Sequence, residues 1–314
     1  MYKCASFFAG IGGIDLGFEN AGFQIVYANE FDKDACITYN QNNKISADCR
    51  DIREVNCEEI PDFDIMLAGF PCQAFSIAGY REGFDDKKGR GNLFFELIRI
   101  ASVKKPRVIF LENVKNLLTH DNGNTMSVIL SELKRLGYYI EYRVLNTCKY
   151  GNVPQNRERI YIIAFLNKQE CDKFEFPCEE PLTITISDIV GDDKKEEKYY
   201  YTNKFKYYDE LYKNMTNKNT VYQWRRKYVR ENKHNLCPTL TANMGTGGNN
   251  VPLVLSATGI RKLTPKECFL FQGFPNDFKL PNELSDYKLW KQAGNSVSVP
   301  VLYRIAKNIM GCLW

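Results

Sequence analysis

CASFFAGIGGIDLGF (4–18) runs from a short apolar stretch, through a glycine-rich turn, into a segment with helical spacing. The part CASFFAG (4–10) reads as a strand, and a helix is expected near 13–22. Gly10, Gly12 and Gly13 let the backbone approach a ligand and leave N–H groups pointing outward. Strand, glycine turn, helix is how a doubly wound α/β sheet begins. The spacing is not GxGxxG, and a tight strand-to-helix connection explains the glycines equally well. It does not explain Glu30, about twenty residues on, where an acid commonly binds ribose hydroxyls.

Outward from that stretch the same rhythm repeats. QIVYANE (24–30), FDIMLAG (63–69), RVIFLEN (107–113), YIEYRVLN (139–146) and RIYIIAF (159–165) read as strands. Helical patterns at 32–43, 92–103 and 124–136 separate them. Apolar runs spaced by helices predict an α/β fold with a doubly wound, mostly parallel sheet and right-handed crossovers.

The texture changes after about 175. Between 198 and 235 lie ten basic residues against three acids, interleaved with tyrosines and Trp224. CPTLTANMGTGGNNVP (237–252) follows, with the composition of a loop. The last fifty residues regain helical pattern: TPKECFLFQGF has Pro near a helix start, and VPVLYRIAKNIM is amphipathic.

The chain's 314 residues and 44% apolar content suffice for one large domain, or one large and one small. No stretch of about 18 uncharged apolar residues is present, so no membrane span is expected. The first residues lack a small-residue cleavage site, which argues against a secretory signal. Eleven cysteines without a CxxC pair, and only two histidines, predict neither zinc nor a disulfide framework. Reduced thiols point to a cytoplasmic setting, with most cysteines in the core. The net charge of +4 is mild, so any nucleic-acid argument rests on charge distribution.

GFPCQAFS (69–76) sets Cys72 just past a strand, where ligands bind in open α/β sheets. Glu112 ends the next long strand, and Arg157 and Arg159 precede another in VPQNRERIYII. Singly, these read as a core thiol, a cap and surface charges. Along one rim, a thiol, a carboxylate and two guanidiniums form a reactive set.

These stretches also resemble the DNA (cytosine-5)-methyltransferases of bacterial and phage restriction–modification systems. FAGIGGIDLGFENAGF resembles that family's first motif, GFPCQAFS its nucleophile motif and ENV its carboxylate motif. VPQNRERIYIIAF resembles its glutamine–arginine–arginine motif, and RKLTPKECFLFQGFP (261–275) and QAGNSVSVPV (292–301) its last two. The six occur in the family's order, and only 185–235 lacks a shared pattern.

The resemblance implies transfer of a methyl group from S-adenosylmethionine to carbon 5 of a flipped-out cytosine, leaving S-adenosylhomocysteine and needing no metal. Cys72 would add to carbon 6 as a thiolate, activating carbon 5. Glu112, neutral in a closed pocket, would donate a proton at N3. Arg159 would approach O2, and Arg157 would serve the same pocket or an adjacent phosphate. Phe8, Gly10, Ile11, Gly12, Gly13, Glu30, Phe31, Asp51, Ile52, Pro71, Leu93, Asn295 and Ser296 would surround the cofactor. Glu30 would bind the ribose, Phe31 the adenine face and Asp51 the adenine amine. Residues 73–92 would form a lid. Gln73, Ser76, Gln155, Thr239, Gly247 and Gly248 would lie at the DNA, with Gln155 also opening its motif and holding the turn. Gln223, Arg225 and Arg226 are the chosen base readers, although the Tyr-rich stretch could equally be a small core.

The expected organisation is a catalytic and cofactor domain at 1–185 plus 288–314. A small, irregular target-recognition domain at 186–287 would follow, with a hinge near 255–290. The expected partner is duplex DNA, bound by a monomer, alongside a possible restriction endonuclease. A tRNA cytosine-5 methyltransferase of the same fold is the alternative, but that branch carries a CFT motif and a doubled proline before its cysteine. Here Phe70 precedes Pro71 and no CFT occurs. A nucleotide-binding oxidoreductase fits the glycine spacing poorly.

Overall fold

The computed structural model describes residues 1–71, 93–246 and 250–313. The chain forms two compact units. The first comprises Met1–Leu145, Glu158–Pro177 and the residues from Leu302 onward; the second comprises Asn146–Arg157 and Cys178–Val301.

In the first unit the strands are β1 (Lys3–Phe7), β2 (Gln24–Asn29), β3 (Ile65–Ala68), β4 (Val108–Val114), β5 (Tyr139–Asn146) and β6 (Glu158–Phe165). Their order in the sheet is β2–β1–β3–β4–β6–β5. β1 pairs in parallel with β2 and β3, and β3 with β4, whereas β6 runs antiparallel to β4. The strand order reverses between β1 and β3, the position where doubly wound sheets open a crevice at their carboxyl ends.

The long apolar runs reflect burial of both faces. Ala5, Phe7, Met66, Ala68, Ile109, Leu111, Ile160 and Ile162 alternate along the strands and join one core cluster. Phe94, Leu97 and Ile98 of α3 (Leu93–Lys104) and Met126, Ile129 and Leu133 of α4 (Asn124–Arg135) complete that cluster. The intervening Ile65, Leu67, Val108, Phe110 and Ile163 are buried as well. Phe110 meets Phe18 of α1 (Gly13–Asn20) with ring centroids 5.1 Å apart. Strands covered on both sides read as continuous rather than alternating apolar sequence.

The helix starts follow local chemistry. Gly12 precedes α1 at φ 85°, with no side-chain cap. A Cβ at Gly12 would stand 2.7 Å from Asn43 Nδ2, so both conformation and space select glycine. Asp32 caps α2 (Lys33–Asn42) by accepting from the N–H groups of Asp34 and Ala35.

The second unit contains an antiparallel sheet, β10–β9–β7–β8. Its strands are β7 (Tyr222–Arg225), β8 (Tyr228–Glu231), β9 (Leu253–Ser256) and β10 (Gly259–Lys262). Each is four residues long. Such short runs, three of them carrying charge, give no strand signal in the sequence. The aromatic stretch divides: Tyr199 and Tyr222 are buried, whereas Tyr212 and Tyr228 are exposed. Helix α5 (Pro265–Leu270) begins as the sequence predicts, with Pro265 in its first turn and a Thr264–Glu267 capping box. The Glu267 carboxylate also binds both terminal nitrogens of the buried Arg261, at 2.8 and 2.7 Å. Helix α6 (Asp286–Asn295) follows in this unit, while most of α7 (Val299–Cys312) belongs to the first.

The cysteines depart from expectation at one pair. Cys36 of α2 is joined to Cys49 by a disulfide. A parallel bridge between Asn29 and Asp48 folds the chain back. The two Cα atoms then lie 6.4 Å apart, a proximity that single, scattered cysteines in a sequence do not reveal. Most of the others are core residues, and burial pushes the Cys4, Cys237 and Cys268 thiols above their ordinary value. No helix among the described residues is long and apolar enough to cross a membrane.

Phe110 is fully buried on the strand that carries Glu112. Phe110→Ala is expected to cost about 3–5 kcal/mol in urea unfolding, through lost transfer energy and the cavity left behind. A cost below about 1 kcal/mol, on the order of an exposed site, would contradict the two-faced core.

Candidate active site

The end at which the sequence places a cofactor is built around Glu30, just past β2. Its Oε2 accepts from the Gly10 N–H at 2.9 Å, and its Oε1 from the Asp32 N–H at 2.8 Å. One carboxylate thus ties the glycine turn to the start of α2. Burial pushes the Glu30 carboxyl above its ordinary value, opposed by those two N–H groups. Phe8 and Gly10 occupy the left-handed region, and a Cβ at Gly10 would meet nothing within 4 Å. Ile11 and Gly13 are buried in the turn. Phe31, next along the chain, leaves its ring 69% exposed. Asp51 is already engaged, accepting from Arg53 Nε at 2.9 Å and Nη2 at 2.5 Å. Those Arg53 bonds hold the Asp51 carboxyl below its ordinary value. Ile52 is buried, Leu93 half-buried and Pro71 exposed.

Beneath the turn lies a polar brace that the sequence reading missed. Asp15 of α1 accepts from the Ser6 hydroxyl of β1 at 2.5 Å and from the Tyr39 hydroxyl of α2 at 2.7 Å. All three residues are buried. Burial pushes the Asp15 carboxyl up to about 6, against the pull of its two hydroxyl donors. An acid within an otherwise apolar helix start was the available signal.

The chemical end lies where β3, β4 and β6 meet. Glu112 and Arg159 form an ion pair, Oε1 to Nε at 3.2 Å, with side chains 10% and 12% exposed. A Cβ on Gly69 would stand 3.6 Å from Glu112 Oε2, which sets the GFPC segment beside that carboxylate. The buried amide of Asn113 donates to the Phe70 carbonyl at 2.8 Å, two residues ahead of Cys72. Asn113 was also missed, although it is the middle residue of ENV. Cys72, Gln73, Ser76 and the lid stretch 73–92 lie outside the described residues.

Arg157 and Gln155 lie in the second unit. Arg157 is 2% exposed, and its guanidinium donates to the carbonyls of Leu240 at 2.9 Å, of Gly294 at 3.2 Å and of Ser296. These bonds tie backbone segments together. Gln155, expected at the DNA, is fully buried, donates to the Phe271 carbonyl and accepts from the Leu240 N–H. Thr239 is half-buried and donates to the Asn156 carbonyl at 2.6 Å. Asn295 is exposed, while the Ser296 hydroxyl is buried without a hydrogen-bond partner among the described residues. Gln223 and Arg225 lie on β7 and Arg226 at the turn after it. Gly247 and Gly248 lie outside the described residues.

The fold is that of the S-adenosylmethionine-dependent methyltransferases. A solved structure of a mutant Spodoptera frugiperda DNMT2 superposes with a TM-score of 0.75 at 19% identity, covering 99% of this chain and 100% of that one. Residues 2–311 match the family described as C-5 cytosine-specific DNA methylase. Type II methyltransferase M.Bsp6I of Bacillus sp. (strain RFL6) is 59% identical over 312 residues, covering 98% of each chain. Type II methyltransferase M.HaeII of Haemophilus aegyptius is 41% identical over 314 residues, covering 99% of this chain and 94% of the relative. The chain belongs to the C-5 cytosine-specific DNA methylase family.

Two outcomes follow from this geometry. The folded Asp15 value of about 6 exceeds the ordinary 3.8, so between them the folded state keeps a proton that the unfolded state has lost. Stability conferred by that proton is full below 3.8 and is lost as pH rises through 6. Urea midpoints of the wild type should therefore fall across that window relative to Asp15→Asn, and equal slopes would contradict a buried, protonated Asp15. Asn113→Ala removes the donor that holds the Phe70 carbonyl. It should lower kcat by about tenfold or more with cofactor affinity within about twofold, since about 1.4 kcal/mol is a factor of ten.

Proposed function

We propose that this DNA cytosine methylase acts on a flipped-out base in a short specific duplex site, through a transient bond from Cys72 to carbon 6. The observation that carries the reading is the Glu112–Arg159 pair beside Gly69 of GFPC. A pyrimidine entering there meets an acid and a cation placed by three neighbouring strands.

The residues divide the work. Cys72, as thiolate, adds to carbon 6 and turns the ring into an enamine whose carbon 5 is nucleophilic. Glu112 gives a proton at N3. An ion-paired carboxylate must first take that proton up, and the Arg159 contact is the one the entering base would redirect toward O2. Asn113 fixes the backbone ahead of the nucleophile. Loss of the carbon 5 proton and release of Cys72 complete the cycle, with water as the proton acceptor. Extruding the base from the duplex costs roughly a few kcal/mol.

The residues fit S-adenosylmethionine. An exposed Phe31 ring suits the adenine face, and the buried Glu30 carboxylate suits ribose hydroxyls. The open space over Gly10 admits a ligand's approach. Bound there, the cofactor supplies a methyl group made electrophilic by its sulfonium. We place catalysis in the first unit and DNA reading in the second. Arg157 and Gln155 act as positioning residues. The enzyme works as a cytoplasmic monomer beside a companion endonuclease.

The test is covalent capture. DNA carrying 5-fluorocytosine at the target, with methyl donor present, should trap the enzyme, and mass spectrometry should place the adduct on Cys72. Cys72→Ser should abolish methylation and retain cofactor binding. Wild-type turnover in that variant, or an adduct elsewhere, would remove the mechanism.

A further inference from the structure

β7 and β8 form a hairpin with register Tyr222↔Glu231, Gln223↔Arg230, Trp224↔Val229 and Arg225↔Tyr228. Successive strand residues face opposite ways. Tyr222, Trp224 and Val229 therefore share one face, and they pack into an apolar cluster with Leu211, Leu253 and Ile260. Gln223, Arg225, Tyr228 and Arg230 share the other. There Gln223 is half-buried, while Arg225, Tyr228 and Arg230 are exposed. β7 pairs with β9 only at Tyr222↔Leu253, so the rest of the hairpin is a two-stranded ribbon. A ribbon of that width fits the major groove of duplex DNA.

The outer face is ordered before any ligand arrives. Gln223 Oε1 accepts from Arg230 Nη2 and, at 3.2 Å, from Arg225 Nη2. One neutral amide oxygen thus gathers two guanidiniums while leaving their charge intact. A carboxylate in its place would have cancelled half of that charge. Each guanidinium carries five N–H donors in a planar fork, so donors remain for a ligand. Guanine presents two adjacent acceptors, N7 and O6, in the major groove, the pattern an arginine fork matches with two bonds.

Resting on the proposed DNA reading above, we infer that Arg230 reads a guanine of the target site in the major groove, with Gln223 as its positioning residue. Arg226, in the left-handed region at the turn after β7, is exposed at the ribbon's tip; its role in this proposal is to meet phosphate. The inference replaces Arg226 with Arg230 as a base reader.

The experiment methylates a random-sequence duplex pool with the full chain and reads the product by bisulfite sequencing. Wild type should return a site with at least one fixed guanine. Arg230→Ala should lose about tenfold to a hundredfold on that site, a range of about 1–3 kcal/mol, and relax the preference at one guanine only. Arg230→Lys, whose single nitrogen lacks the planar fork, should restore it only in part. Gln223→Ala should relax the same position with the KM for the methyl donor unchanged. Arg226→Ala should weaken all sequences alike and lower the salt dependence by about one ion. An unchanged site in Arg230→Ala, or full rescue by lysine, would make Arg230 a phosphate contact and overturn the inference. Absence of methylation by wild type on any DNA would instead overturn the functional reading beneath it.

Discussion

The antiparallel pairing of β4 with β6 sets Val114 opposite Arg159 and Glu112 opposite Tyr161. That register brings a carboxylate and a guanidinium, far apart in sequence, within 3.2 Å. A shift of one residue would turn Arg159 to the other face of the sheet. The pair is largely removed from solvent, so taking away one partner leaves an uncompensated charge, which costs more than an exposed ion pair contributes. The two-sided core holds the register, and the register holds the site.

The glycine turn depends on a comparable economy of parts. Glu30 accepts one N–H from the turn and one from the start of α2, and Asp15 joins β1, α1 and α2 from below. Both are buried carboxyls held by neutral donors, and both have values raised chiefly by burial. Glu30 is thus held by backbone N–H groups, which a side-chain motif expresses only through its glycines.

Much of the first unit was legible because its strands are long enough to show. FDIMLAG and RIYIIAF mark β3 and β6, and the ends of those runs mark Gly69 and Arg159. What escaped was whatever depends on contacts distant in sequence. Arg157 and Arg159 stand two positions apart in one motif, yet one is locked onto carbonyls in the second unit and the other pairs with Glu112. Gln155 looked available for DNA and is fully buried. Cys36 and Cys49 meet because a single bridge at Asp48 folds the chain back. The strands of the second unit escaped because four residues give too little periodicity, and the apolar partners of Tyr222 come from 211, 253 and 260.

β8 closes its sheet without a further strand beside it among the described residues. An unpaired edge of that kind invites docking by another copy and, in time, aggregation. Here the edge strand reads YVRE, with arginine and glutamate side chains exposed. Charges along such a margin disfavour edge-to-edge pairing of identical chains. Variants that neutralise those side chains would leave a bare strand edge, so the same two residues that give the sequence no strand signal also keep the strand from recruiting another.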